Sequence, residues 1–147
     1  MEKSIISQMR TFNRYYTNLI GLLDRGYLES QHSLTEARIL FELSLGKINA
    51  SEIMDRIRID KSYLSRVLKK FEKDKLIIKS KSGKDARASQ IGLTEKGKVE
   101  LKALNTLADK QLEELLKDLS ATEIKQLVLN MKSIMDILDQ KSASRNR

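Results

Sequence analysis

Residues 60–77 read DKSYLSRVLKKFEKDKLI, a stretch that predicts a capped amphipathic helix running to about Lys73. Asp60 is a favourable N-cap, because its carboxylate accepts hydrogen bonds from the free amides of the first helical turn. At 100° per residue, one apolar face comprises Leu64, Val67, Leu68 and Phe71. The opposite face carries Ser62, Arg66, Lys69 and Lys73, flanked by Ser65, Tyr63 and Lys70.

A shorter helix is predicted immediately before this one. Residues 49–52, Asn-Ala-Ser-Glu, resemble a capping box with asparagine at the N-cap, and Ile53, Met54 and Ile57 follow at helical spacing. Only residues 58–60 separate the two helices, which is the helix-turn-helix arrangement. Hydroxyls, one arginine and lysines on its second helix suit a DNA major groove, because arginine pairs with guanine and lysine with phosphate. An ordinary solvated helix face remains the alternative at this point.

Two predicted strands follow the second helix, over residues 76–82 and 88–93. The polar tip between them, residues 83–87, reads GKDAR. A basic hairpin in this place is a wing, and Arg87 is positioned to enter a narrow minor groove whose potential attracts arginine. Asp85 is suited to orient the guanidinium. The alternative is a surface turn whose ion pair contributes little.

The positive charge of the chain is concentrated in this same region. The net charge is +8, and residues 56–87 hold twelve basic and four acidic residues, whereas the rest of the chain carries sixteen of each. A localised basic segment in a neutral body is the electrostatic footprint of a nucleic-acid binder. A merely solvated charged face is the other interpretation of the charge.

Helices are also predicted on both sides of this region. Before it, we expect a helix over residues 8–25, ended by Gly26, and one from Leu34 behind a capping box at residues 33–36. That second helix is expected to bury Ala37, Leu40, Phe41 and Leu45. After the wing, Thr94 caps a long helix, and a capping box at residues 120–123 starts the last one.

The last helix carries an apolar seam with no small domain of its own to cover it. We therefore expect a second copy of the chain to pack on it, as a homodimer. The sequence predicts a mainly α fold in which residues 1–32 and 99–141 form a helical dimerisation region. Residues 33–98 form the winged helix-turn-helix lobe and residues 142–147 a disordered tail. The seam residues are Ile124, Leu127, Val128, Met131, Ile134, Met135 and Leu138.

Composition excludes several classes of function. The chain has no cysteine, which excludes thiol chemistry and cysteine metal sites, and its one histidine, His32, cannot build a histidine metal cluster. No glycine-rich phosphate loop or paired carboxylates point to an enzyme, so we expect none, and no cofactor. No apolar run reaches the roughly 18 residues of a membrane helix, so we expect a soluble, cytoplasmic protein.

The wing and the second helix resemble those of MarR-type regulators. Residues 85–87, then Leu93, Thr94 and Gly97, reproduce that family's D-x-R and L-T-x-x-G signature. Lys75 departs from the pattern, because the family usually has glycine there, and a positive φ would strain it. The resemblance implies a homodimer that binds a pseudo-palindromic operator, commonly as a repressor, and many such proteins release DNA when a small molecule binds. Carried over, the DNA contacts are Ser51, Lys61, Ser62, Tyr63, Ser65, Arg66, Lys69, Lys84, Asp85 and Arg87.

Three further interpretations remain open. Residues 10–30 and 33–43 look like the regulator half of proteins that join a MarR-type domain to a GNAT acetyltransferase. We therefore expect either a stand-alone relative or the regulator half of a truncated fusion, and only the regulator function is carried over. A winged fold that binds a protein partner is another alternative, since fold does not fix function. An effector pocket is suggested by Arg14, Tyr15, Tyr16 and Arg38, although core and dimer packing is the simpler explanation of the aromatic residues.

Overall fold

Over residues 2–21, 27–81 and 89–145, which the computed structural model describes, the chain forms six α-helices and two β-strands. The elements are α1 Lys3–Leu19, α2 Leu34–Ser44, α3 Ala50–Ile57, α4 Lys61–Lys73, β1 Ile77–Lys81, β2 Ser89–Leu93, α5 Glu95–Leu116 and α6 Ala121–Arg145. A short turn at Tyr27–Glu29, in which Leu28 and Glu29 have left-handed φ of 55° and 59°, precedes α2. The chain divides into two compact units, residues 1–108 and 109–147, and α5 runs across their boundary. No described helix is both long enough and apolar enough to cross a membrane.

The predicted N-caps start the helices of the first unit as expected. The Glu36 amide donates to Ser33 Oγ at 3.1 Å, and the Ser33 amide donates back to the Glu36 carboxylate at 3.1 Å. Asn49 and Glu52 form the same reciprocal pair at 2.9 and 2.8 Å. The carboxylate of Asp60 accepts from the Tyr63 amide at 2.9 Å. These local hydrogen bonds satisfy amides that have no partner inside their helix, and so fix where α2, α3 and α4 begin.

One continuous core holds the first unit together. The predicted apolar face of α4 is confirmed, since its four residues are all at most 5% exposed. In α2 the prediction is partly wrong, because Phe41 is 41% and Leu45 62% exposed while Ile39 and Leu43 are buried. The buried face of α2 is rotated because the helix packs against both α3 and β2. The core residues are Ala37, Ile39, Leu40, Leu43, Ile48, Ile53, Leu64, Val67, Leu68, Phe71, Leu76, Ile77, Ile91, Leu101 and Leu104.

The two strands form an antiparallel hairpin in the register from Ile77 opposite Leu93 to Lys81 opposite Ser89. The first strand begins at Ile77, one residue later than expected, and residues 82–88, which include the expected tip ends of both strands, lie outside the described part of the chain. The backbone of Ile48 joins the sheet through hydrogen bonds with Ile91 of 2.8 and 3.2 Å. The base of the hairpin is thereby tied to the segment that leads into α3.

Two residues determine how the chain leaves α4 and enters α5. One has a positive φ, and the other has no room for a side chain. Lys75 has φ of 58°, which is the left-handed conformation that the missing glycine would supply more easily. The amides of Lys75 and Leu76 donate to Glu72 and Phe71 at 3.0 and 2.8 Å, closing the C-terminus of α4 as a Schellman motif. At Gly97, a Cβ atom would lie 2.1 Å from the Leu76 carbonyl oxygen. Glycine is therefore required where α5 crosses the end of α4.

Two predicted boundaries at the ends of the chain differ from the structure. The first helix runs over Lys3–Leu19 rather than residues 8–25, because Gly21, with φ of 63°, takes the left-handed conformation that terminates helices. In the second unit, the capping box at Ser120 forms, with Glu123 donating its amide to Ser120 Oγ at 3.3 Å. The last helix then continues to Arg145, into the segment expected to be disordered. No proline or glycine follows Ser120 to break it.

Candidate nucleic-acid interface

The solvent face of α4 carries the side chains that the sequence singled out. Ser62, Ser65, Arg66, Lys69 and Lys73 are all exposed, on the side opposite the buried leucines and Phe71. Because that opposite side is locked into the core and Asp60 caps its first turn, α4 presents these groups from a fixed backbone.

Tyr63 is held differently from its neighbours. It is half-buried and packs against the core, and its hydroxyl lies 3.5 Å from Ser33 Oγ. The guanidinium carbon of Arg66 lies 5.7 Å from the centre of the Tyr63 ring, within the range of a cation–π contact. The ring therefore supports Arg66 and limits where its guanidinium points.

A cleft of about 630 Å³ brings four predicted contact residues together, namely Ser51, Lys61, Ser65 and Lys69. It lies between the start of α3, the outer side of α4 and the strands. Lys79 of β1 also lines it, and sequence reasoning missed this residue even though it belongs to the basic segment. Glu72 lines the cleft as well, and its carboxylate pairs with the Lys79 ammonium at 2.9 Å. The hydroxyls of Ser51 and Ser65 and the ammonium groups of Lys61 and Lys69 are the donors that phosphate oxygens require.

Ion pairing separates the cations of this region into two groups. Lys61, Arg66, Lys69 and Lys73 make no ion pair with any described residue. Lys70, in contrast, donates to both carboxylate oxygens of Glu36 at 2.9 and 3.0 Å and so anchors α4 to α2. The charge available to an anionic partner therefore lies along the outer side of α4.

The turn between α3 and α4 fixes the angle of the helix pair. Arg58 ends α3 with φ of 52°, a left-handed conformation, and Ile59 packs its side chain against the core before Asp60 begins α4. The three-residue helix-turn-helix connection predicted from the sequence is confirmed.

The remaining predicted residues are not brought together by the described structure. Lys84, Asp85 and Arg87 lie outside the described residues. Arg14 lines a cavity of about 400 Å³ made by α1 alone, whereas Arg38 lines a different one of about 230 Å³, and the two cavities share no residue. Tyr16 stacks on Phe12, which supports packing as its role, and Tyr15 is 62% exposed.

Arg38 is also committed to an ion pair. Its guanidinium lies 2.9 Å from the carboxylate of Glu42, which is only 4% exposed. Among the described residues, no cluster of acidic or histidine side chains is arranged to hold a metal ion.

Comparison with known proteins shows which proteins this chain resembles. The profile of the MarR family matches residues 30–88, which contain α2, α3, α4 and β1. The HTH-type transcriptional regulator BilQ of Clostridioides difficile (strain CD3) is 30% identical over 87 residues, or 59% of this chain and 59% of that protein. The chain thus matches only about three fifths of the length of this curated relative.

Solved structures share the fold over a longer stretch. A mutant of MarR from E. coli complexed with operator DNA superimposes with a TM-score of 0.69 and 21% identity, covering 89% of this chain and 95% of that one. BpsR of Bordetella bronchiseptica, whose DNA binding is regulated by 6-hydroxynicotinic acid, gives a TM-score of 0.67 and 16% identity, covering 88% and 98%. The profile match shows that residues 30–88 resemble the MarR family, and the solved structures show that the chain shares the winged helix-turn-helix fold.

Proposed function

We propose that this chain is a sequence-specific regulator of transcription that binds double-stranded DNA with α4 in the major groove. The observation that carries the proposal is the outer side of α4, where Lys61, Arg66, Lys69 and Lys73 are unpaired among the described residues while the inner side is buried. A rigid helix with free cations and hydroxyls on one side can reach both base edges and phosphates.

The proposed contacts divide by chemistry. Arg66 is the candidate for a bidentate contact to guanine, with Ser62 and Ser65 beside it. Lys61, Lys69 and Ser51 bind phosphate in the cleft described above. In the wing, Arg87 enters the minor groove with Asp85 as its support and Lys84 on the backbone, an assignment that rests on the sequence signature.

We propose that the regulator is a homodimer, with residues 33–98 as its DNA-binding lobe and residues 1–32 and 99–141 as its dimerisation region. On α6, all seam residues except Ile124 are at least 39% exposed, and Met135 reaches 63%. Such a row of exposed apolar side chains marks an interaction surface. Since two-fold symmetry in the protein requires two-fold symmetry in the DNA, the operator is a pseudo-palindrome with half-sites one helical turn apart or a multiple of it.

The finer role proposed is that of a repressor released by a small-molecule effector. The support is the family resemblance and BpsR, whose DNA binding responds to 6-hydroxynicotinic acid. Arg14, Tyr15, Tyr16 and Arg38 remain the candidate effector residues, although Arg38 is already paired with Glu42. A thermal-shift screen with phenolic and carboxylate ligands tests this role, and no stabilisation by any of them would count against it. The likeness to acetyltransferase fusion proteins stays a prediction.

The experiment that tests DNA recognition is the selection of bound sequences from random duplexes by the purified chain at near-physiological salt. An inverted repeat with half-sites about one helical turn apart is the expected result. Recovery of no motif, with salt-sensitive general binding only, would refute sequence-specific regulation. A salt-insensitive complex with a protein, independent of DNA, would favour the protein-binding alternative.

A matched pair of lysine variants locates the interface. Lys69→Ala removes a cation from the α4 cleft, whereas Lys102→Ala removes an exposed lysine on α5 that lines a different cavity. If Lys69 binds phosphate, its loss weakens binding about equally on all sequences and lowers the slope of log affinity against log salt by about 1. Lys102→Ala is expected to change neither quantity, and equal effects of the two variants would remove the cleft from the interface.

A further inference from the structure

The one histidine of the chain is a core residue that the proposed DNA contacts do not use. His32 is 1% exposed and lies in the segment before α2, with its ring edge-on to Phe71 of α4 at 6.0 Å. A fully buried imidazole carries two nitrogens that each need a hydrogen-bond partner. The partners of these two nitrogens therefore decide what this residue does.

Two carboxylates face the ring from opposite sides. Nε2 lies 2.9 Å from the carboxylate of Glu100 on α5, and Nδ1 lies 3.4 Å from that of Glu36 on α2. Nδ1 is buried without a hydrogen-bond partner, because its approach to Glu36 does not have hydrogen-bond geometry. The other charged groups of this junction are Lys70 of α4, which binds Glu36, and Lys96 of α5, which acts on Glu100.

Both carboxylates are held in the ionised form. Burial would raise the pKa of Glu36, but the Lys70 ammonium and the Ser33 amide outweigh it and lower that pKa below its usual value. Hydrogen bonding from Gln31, and then from His32, lowers the pKa of Glu100 despite its partial burial. An ionised carboxylate is an acceptor only, so each of them can hydrogen-bond to a ring nitrogen only when that nitrogen carries a proton.

A neutral imidazole cannot donate a hydrogen bond to both carboxylates, because only one of its nitrogens carries a proton. With the proton on Nε2, the ring donates to Glu100 and its Nδ1 lone pair faces Glu36. With the proton on Nδ1, the lone pair of Nε2 instead faces Glu100 at 2.9 Å. Only the imidazolium donates on both sides. Since Glu36 also holds Lys70, the second proton completes a chain of contacts from α5 through His32 and Glu36 to α4.

We propose that His32 is a positioning residue for α4, and that protonation of its ring tightens the junction of α2, α4 and α5. The effect that this protonation would have on DNA affinity rests on the DNA-binding role of α4 proposed above. The effect on α4 itself does not depend on that role, so the two are tested separately.

The first test uses NMR on the free protein. Because the chain has a single histidine, its ring ¹⁵N signals belong to His32 without ambiguity. The expected result is that the amide signals of Lys70 and Phe71 shift with pH at the same midpoint as the ring nitrogens. Amide signals in α4 that do not follow the ring would overturn the proposal.

Glu100→Gln is the variant that separates positioning from simple packing. Its amide can donate to Nε2 while Nδ1–H donates to Glu36, so the neutral ring becomes fully satisfied. The shift of the α4 amides between the two ring states should shrink or vanish in this variant. Glu95→Gln, an exposed carboxylate earlier on α5, is the matched control and should behave as the parent chain. An unchanged amide response in Glu100→Gln would refute the role of the two carboxylates.

The second test measures affinity for the selected duplex by fluorescence anisotropy on either side of the ring midpoint found by NMR. The expected result is an affinity about fivefold or more lower above that midpoint than below it, and this difference is assigned to His32 if Glu100→Gln abolishes it. Equal affinity on both sides of the midpoint would overturn the link to DNA. Coupled amide shifts without binding to any duplex would instead refute the proposed function and leave the positioning role of His32 intact.

Discussion

Replacing Gly97 with alanine tests how α5 is joined to the end of α4. The Cβ of the new residue would lie 2.1 Å from the carbonyl oxygen of Leu76 and 3.2 Å from Leu93 Cδ2. The first distance is far inside van der Waals contact, and backbone cannot rotate away as a side chain can. The N-terminus of α5 must therefore move away from the end of α4.

That movement disrupts a compact set of hydrogen bonds. The Thr94 amide donates to the Leu76 carbonyl at 3.0 Å, and Thr94 Oγ1 donates to the Lys75 carbonyl at 2.7 Å while accepting from the Gly97 amide at 3.0 Å. Each lost bond destabilises the fold by about 1 kcal/mol, and overpacking adds about 1–3 kcal/mol. Because alanine is better than glycine in a helix by about 0.5–1 kcal/mol, we expect a net loss of about 3–5 kcal/mol when all three bonds are lost.

Gly92→Ala is the matched control. Its Cβ would meet only the flexible side chain of Lys47, at 3.3 Å, so we expect a change within about 1 kcal/mol. The assay is urea unfolding followed by circular dichroism, with all variants at one protein concentration because dimerisation would contribute to stability. If the two variants differed by less than about 0.5 kcal/mol, the argument from the Leu76 carbonyl would be refuted.

Four other predictions concern binding, strain, pH and assembly. Arg66→Ala should weaken binding of the selected duplex by about 1–3 kcal/mol in an anisotropy titration, and an equal loss on random DNA would make it a phosphate contact. Lys75→Gly should raise the free energy of unfolding by about 1 kcal/mol, because φ of 58° strains a side chain, and an unchanged urea midpoint would contradict this. The lowered pKa of Glu36 contributes stability that is present above its usual value of about 4.3 and is lost as pH falls through the lowered one. Acid should therefore destabilise the parent chain more than Glu36→Gln, and equal acid sensitivity would be evidence against the effect. Met131→Glu should yield monomers in sedimentation experiments while Asn130→Glu does not, and dimers in both would exclude this part of the seam.

Much of the winged helix-turn-helix lobe, residues 33–98, was predictable because its signals are local. A capping hydrogen bond joins residues three positions apart, so the starts of α2, α3 and α4 can be derived from the sequence. The two faces of α4 follow from the helical period. The same period failed for Phe41 and Leu45 in α2, because the direction of a buried face depends on which elements pack around it, and periodicity does not contain that information.

In the candidate site, too, some features could be predicted from the sequence and others depend on the fold. The sequence identified the residue types on α4, but it counted Lys70 with the exposed flank, whereas the fold pairs it with Glu36. It also missed Lys79, which reaches the cleft only because β1 folds back beside α4. A free cation and a paired one look alike in a sequence, since the distinction depends on which carboxylate the fold brings near.

By itself, the sequence determined where α2, α3 and α4 start, which side of α4 is polar, and that a hairpin follows it. Only the tertiary structure decided that position 97 must be glycine, that Lys70 is an anchor, and that His32 lies between two carboxylates. The physical reason is sequence separation. His32 and Glu100 are 68 positions apart and Lys70 and Glu36 are 34 apart, and contacts across such distances exist only after the core has closed.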